Sequence, residues 1–92
     1  MNDAALLTAL KTDLGISSTV FDDRLTARIQ TAKERITAEG VTLTDSAGDQ
    51  DLVLMYAAWL WRDRTTGKDM PRMLRWALNN RVFGEAAREV ST

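Results

Sequence analysis

Apolar residues in this chain recur at the spacing of a helix, and glycines divide the pattern into four segments. Gly15, Gly40 and Gly67 stand between these segments. β-Branched residues never alternate with polar ones for more than a few positions, which argues against strands. Because residues three and four apart share one helix face, the pattern predicts an all-α protein. We expect a small bundle of three main helices plus a short N-terminal helix.

The first two segments each carry a single apolar stripe. They predict helices over residues 3–14 and 19–39, and Gly15 and Gly40 suit the left-handed position that follows a helix. The stripes consist of Leu6, Leu7, Leu10 and Leu14 in the first helix, and of Phe21, Leu25, Ile29, Ala32 and Ile36 in the second. One face of each helix is therefore expected in the core, with the others in water.

The third segment, predicted as a helix over 49–66, is apolar on all sides. Its residues 52–61 form an uninterrupted apolar run. One face holds Leu52, Met55, Tyr56 and Trp59, and the other holds Leu54, Ala57, Ala58 and Trp61. Such a helix must be covered all round. We expect its alanine-lined face to pack against another subunit, the alternative being that the chain's own helices suffice as cover.

The fourth segment predicts a helix over 70–82 with Pro71 in its first turn, where proline is tolerated. Its expected buried stripe is Met70, Met73, Leu74, Ala77 and Leu78. Trp76 points away from that stripe, among Arg72, Arg75 and Asn79, and is an interface candidate. The alternative is that the segment after it covers the indole. Residues 1–83 are expected to form the domain, and residues 84–92 a flexible C-terminal tail.

Composition removes most chemistry from consideration. The chain of 92 residues has no cysteine and no histidine, so it lacks thiol nucleophiles, thiolate zinc ligands and the commonest general base. No arrangement of the remaining residues suggests catalysis, and we expect a protein that is not an enzyme and has no cofactor or metal site. No apolar run approaches the ~18 residues of a membrane span, and no secretory signal is evident, which favours the cytoplasm.

The net charge of −1 conceals a basic region. Residues 62–81 contain six basic and two acidic side chains. Arg72, Arg75 and Arg81, with Trp76 and Asn79, could be the contacts of a helix that lies in a nucleic-acid groove, although the acidic pI of about 5.3 weighs against this. Two alternatives therefore stay open beside a structural role. They are a small helical nucleic-acid-binding protein and a generic cytoplasmic helical adaptor.

The order of the elements resembles that of a known family. A helix opens with Phe21-Asp22-Asp23-Arg24-Leu25, an aromatic helix ends with Trp59-Leu60-Trp61-Arg62, and Met70-Pro71 opens the last helix. Over about residues 5–83 the chain resembles the small head–tail connector proteins of tailed bacteriophages and prophages, also called adaptor or head-completion proteins. It departs from them in having Gly48-Asp49 where a proline is common, and tryptophans where the aromatic helix end usually has tyrosine.

The resemblance implies a structural subunit of the virion neck, assembled in the bacterial host cytoplasm. Such subunits form a ring beneath the portal, here expected to be a dodecamer, and join the DNA-filled head to the tail. The implied partners are further copies of the chain, the portal protein, the next neck or tail-completion protein, and DNA passing non-specifically through the lumen. The candidate subunit or portal interface comprises Leu54, Ala57, Ala58, Trp61, Arg72, Arg75 and Trp76.

Overall fold

The fold is all-α, as the apolar spacing predicts. A computed structural model describes residues 1–62 and 69–90, with side chains in the second range to residue 87. Within those ranges the chain forms four helices and no strand. The helices are α1 (Asp3–Leu14), α2 (Asp22–Ala38), α3 (Ala47–Arg62) and α4 (Arg72–Val90).

Helix α1 ends at Gly15 as predicted. Gly15 has φ 71°, and its N–H donates to the carbonyl of Thr12 at 3.2 Å. The N–H of Ile16 donates to the carbonyl of Lys11 at 2.9 Å, which completes a Schellman motif. With 12 residues, α1 has the length of an average helix, so the expectation of a notably short helix is wrong.

Helices α2 and α3 begin at points other than those predicted. Helix α2 starts at Asp22 rather than residue 19, with Phe21 as an N-cap that makes no side-chain hydrogen bond. Helix α3 starts at Ala47 rather than residue 49, because the Ser46 hydroxyl accepts the Asp49 N–H at 3.2 Å and caps the first turn. The end predicted for α3 at residue 66 lies outside the described residues.

Helix α3 lies at the centre of the fold. It packs most extensively against α2, and it also contacts α1 and α4. Both of its apolar faces contribute to the core, so much of the cover comes from within the chain. The buried core consists of Leu6, Leu10, Leu25, Ile29, Ala32, Ile36, Val41, Leu52, Val53, Tyr56, Ala57, Ala58, Leu74 and Leu78.

Helix α4 is longer than predicted. It continues to Val90, so the flexible tail expected from residue 84 is wrong for residues 84–90, and residues 91–92 lie outside the described part. The Arg81 guanidinium donates to the Glu85 carboxylate at 2.8 Å, one turn further on, and Glu85 is only 6% exposed. This partly buried i,i+4 pair supports the helix beyond Arg81.

Candidate interaction surface

An ion-pair network fixes α4 to the rest of the fold. Arg81 Nε donates to Asp49 Oδ1 at 2.7 Å, and its Nη1 donates to Glu85 at 2.8 Å. Arg81 Nη2 donates to the Thr42 carbonyl at 2.8 Å. Both the N–H and the hydroxyl of Thr44 donate to Asp49 Oδ2, each at 2.8 Å. The network therefore joins α4 to the start of α3 and to the segment before it.

The network stabilises the charged form of its members. Burial alone would raise the pKa of Asp49, but hydrogen bonds from Arg81 and Thr44 outweigh it and hold that pKa below its ordinary value. Hydrogen bonds to Asp49 and Glu85 raise the pKa of Arg81. Arg81 is thus a permanently charged group whose donors are directed at this chain's own acceptors. It is poorly placed to bind phosphate.

The side of α4 opposite this network is apolar and exposed. Met73 and Phe83 are each 74% exposed, and Trp76 is 66% exposed. At 100° per residue the three positions fall within about 80° of one another, so they form one stripe along the helix. We call these three residues the α4 stripe. It is an unusual concentration of large apolar side chains on a small surface, which is typical of a binding site.

The α4 stripe was found only in part from the sequence. The exposed position of Trp76 agrees with prediction, but the placement of Met73 in the buried stripe is wrong. Leu74 and Leu78 take the buried positions, and Met73 lies about 100° away from Leu74 on the helix. Phe83 was missed, although its spacing of seven residues from Trp76 is the signal that places both on one face.

The candidate residues of α3 lie largely inside the chain. Ala57 is fully buried and Ala58 is 9% exposed, so the alanine-lined face packs within the chain's own core. Leu54 and Trp61 are half-buried. The Trp61 ring meets Phe21 edge to face, with 5.4 Å between the ring centroids. The interface role of these four α3 residues stays a prediction. Leu54 and Trp61 are more exposed than the two alanines.

The candidate residues of α4 divide between two sides of the helix. Arg72 and Trp76 are exposed, and Arg72 flanks the α4 stripe. Arg75 is also exposed but is directed to the end of α2, where its Nη1 lies 3.1 Å from Glu39 Oε1. The structure thus brings Arg72, Met73 and Trp76 together on one surface, while Arg75 belongs to another.

An open groove of about 630 Å³ lies between α3 and the start of α4. Its apolar lining comes from both helices, and exposed carboxylates lie along it. The apolar part includes Leu54, Met55, Ala58, Trp59, Met73 and Leu74, and the charged part consists of Asp13, Asp51 and Asp69 with one basic residue, Arg62. The groove is suited to apolar contacts made by a partner that carries positive charge.

Two absences within residues 1–62 and 69–90 bear on function. Within these ranges no group of three or more acidic, histidine or cysteine side chains is placed to hold a metal ion. No helix in the same ranges is long and apolar enough to cross a membrane. What this part of the chain offers to a partner is apolar and charged surface.

Comparison with known proteins leaves the chain without a family assignment. No family model matches it, and no curated protein or solved structure is significantly similar to it.

Proposed function

We propose that the chain is a structural subunit of a phage or prophage head–tail connector. In this role it forms a ring beneath the portal and acts through contacts with other proteins. The observation that supports this proposal best is the α4 stripe, where Met73, Trp76 and Phe83 are two-thirds or more exposed. The exposure of large apolar side chains to water is unfavourable, and a partner that covers them removes that unfavourable free energy.

The positions of the family-like motifs also support the proposal. Phe21-Asp22-Asp23 stands at the start of α2, and Pro71 directly precedes α4. These two resembling segments thus coincide with helix starts, where such motifs shape the packing of a small helical subunit. The coincidence was not required by the apolar spacing alone.

Ring formation needs two different surfaces on each subunit, because a head-to-tail contact joins unlike faces. The chain has a groove lined by Asp13, Asp51 and Asp69, and next to it, beyond Met73, an exposed face bearing Arg72 and Trp76. Opposite charge on the two surfaces would favour their encounter and set the register between subunits. The ring contact proposed here pairs these surfaces.

The nucleic-acid alternative receives less support from the structure. Two of the three arginines considered for it are engaged in ion pairs, Arg81 with Asp49 and Glu85, and Arg75 with Glu39. We expect no mobility shift of duplex DNA at low salt. A strong shift, weakened by Arg72→Ala and by rising salt, would favour the alternative instead.

The decisive experiment mixes the purified chain with a portal protein encoded in the same genome and images the product by electron microscopy. A ring of this chain attached to the portal is expected. Trp76→Glu should prevent attachment without loss of helicity, because the exposed indole contributes little to the fold. Ala27→Glu, which adds the same charge at an exposed position of α2, is the matched control. Absence of any complex with the portal would contradict the proposal.

A further inference from the structure

The outward side of α4 has the spacing of a helix-pairing surface. Met73, Trp76, Asn80, Phe83 and Ala87 follow one another at intervals of three and four residues, and all five are exposed. This spacing places them on one continuous face along the helix, against which a second helix can lie. A single polar residue, Asn80, stands in the middle of the series.

Gly84 lies beside this series and has no role in its own chain. It is inside α4, where glycine is less favourable than alanine, and its φ is not in the left-handed region. A Cβ atom built on it would meet no heavy atom within 4 Å. The fold therefore does not require glycine here. What Gly84 provides is a gap on the exposed surface, about 12 Å or just over two helical turns beyond Trp76, the largest side chain of the α4 stripe.

We propose that two copies of the chain pair through α4, antiparallel, about a two-fold axis at Asn80. In this arrangement each residue before Asn80 lies opposite a residue after Asn80 in the other copy, at the same distance along the chain from Asn80. Trp76 then lies opposite Gly84, and Met73 lies opposite Ala87. Large side chains meet small ones on both sides of the axis, which is the self-complementarity that a two-fold interface needs.

The polar centre and the flanks of the surface fit the same pairing. An asparagine amide both donates and accepts hydrogen bonds, so two Asn80 side chains meeting on the axis satisfy each other. The flanking positions Ala77, Asn79, Gly84 and Ala86 are uncharged. Like charges therefore do not oppose one another along the middle of the pair, and the small residues allow the helix backbones to approach closely.

The size of the α4 stripe is sufficient for a reversible dimer. If a large side chain offers roughly 200 Å², the exposed fractions of Met73, Trp76 and Phe83 leave about 400 Å² of apolar surface per copy. A standard interface covers about 800 Å² on each partner, so the stripe supplies about half of that area before flanking residues are included. We expect dissociation in the micromolar range rather than a permanent dimer.

This inference does not rest on the proposed function. A two-fold pair closes on itself and cannot extend into a ring, so it describes the isolated chain rather than the assembled neck. The same stripe would have to be released before any other partner could cover it. Trp76→Glu affects both contacts, so pairing is separated from ring formation by Gly84→Leu and Asn80→Cys, whose positions the proposed ring contact does not include.

The first test is sedimentation equilibrium of the full chain over a range from about one micromolar to several hundred micromolar. The expected result is a monomer of 10.3 kDa in equilibrium with a species of twice that mass. Trp76→Glu should weaken the association at least a hundredfold, and Gly84→Leu at least tenfold, because the leucine fills the gap. Ala27→Glu should leave it unchanged. A monomer at all concentrations, or only larger assemblies, would overturn the inference.

The second test measures the register and uses the absence of cysteine in the chain. The variant Asn80→Cys places its single thiol on the axis, so mild oxidation should link two copies rapidly. In Met73→Cys the two thiols stand about 21 Å apart along the antiparallel helices, and linkage should be slow. Equal rates for the two variants would indicate a parallel or unspecific pairing and overturn the proposal. Circular dichroism of each variant confirms that the helices are retained.

Discussion

Replacing Asp49 by asparagine tests the network that fixes α4. Both carboxylate oxygens accept hydrogen bonds, Oδ1 from Arg81 and Oδ2 from Arg81 and Thr44. An asparagine that keeps its oxygen towards Thr44 must turn its amide N–H₂ towards the Arg81 guanidinium. Two donors then face each other at a buried position, and the charge that balanced Arg81 is lost.

The expected loss of stability follows from the burial of the pair. Removing one partner of a fully buried pair costs about 3–5 kcal/mol. The Arg81 side chain is 20% exposed and keeps its contacts with Glu85 and the Thr42 carbonyl, so part of its charge stays compensated. We therefore expect Asp49→Asn to lower the free energy of unfolding by about 2 kcal/mol, a large fraction of the ~5–15 kcal/mol of a typical domain.

Urea unfolding followed by tryptophan fluorescence and circular dichroism measures this change. The control is Asp51→Asn on the same helix, which removes the same charge from an exposed side chain and should cost less than about 0.5 kcal/mol. Arg81→Met, made in the wild type and in Asp49→Asn, completes a double-mutant cycle that isolates the coupling energy between Asp49 and Arg81. A loss for Asp49→Asn no larger than that for Asp51→Asn would refute the reasoning.

The network also predicts how stability depends on pH. Because the folded state lowers the pKa of Asp49 from its ordinary value of 3.8, the stabilisation is complete well above pH 3.8. It is lost as the pH falls through the lowered value, when the folded protein also takes up the proton. The unfolding free energy of the wild type should therefore fall more steeply below about pH 5 than that of Asp49→Asn. Parallel curves for the two proteins would contradict this assignment.

Four further substitutions test other parts of the fold. Gly15→Ala should destabilise the protein by about 1 kcal/mol, because Gly15 has φ 71°. Gly84→Ala should stabilise the dilute monomer by about 0.5–1 kcal/mol, because the added Cβ meets open space. Thermal melts at low protein concentration should therefore show shifts of opposite sign for the two variants. Ile29→Ala opens a cavity in the fully buried core and should cost about 2–4 kcal/mol in urea unfolding, against almost nothing for the exposed Ala27→Ser. Arg75→Ala removes a half-exposed ion pair and should change the unfolding free energy by less than about 0.5 kcal/mol; a larger loss would show that its contact with α2 is structural.

Local periodicity was enough to predict the class of the fold and the ends set by glycine. The apolar stripes of α1 and α2 can be recognised from residues that are three and four positions apart. Four of the five residues in the α2 stripe are buried. Gly15 and Gly40 both have positive φ, at 71° and 101°. These features are local, so the sequence contains them directly.

Features that depend on distant residues were harder to predict. Helix α4 carries two neighbouring apolar rows, and periodicity does not decide which row α3 covers; Leu74 is buried and Met73 is not. The continuation of α4 beyond residue 83 depends on Arg81, which is held by Asp49, a residue 32 positions earlier in the chain. The same holds for Ala57, whose burial comes from the packing of other helices around α3.

The uneven packing of α4 has a consequence for dynamics. Helices α1, α2 and α3 all contact one another, whereas α4 packs mainly on α3. It can therefore detach as a unit while the other three stay packed, at a free energy below that of global unfolding. Amide hydrogens of α4 should exchange with solvent faster than those in the middle of α2 and α3. Asp49→Asn should increase the exchange rate in α4 and leave the rates in α2 and α3 unchanged. The strength of the Asp49–Arg81 ion pair thus sets how often α4 detaches from the other three helices.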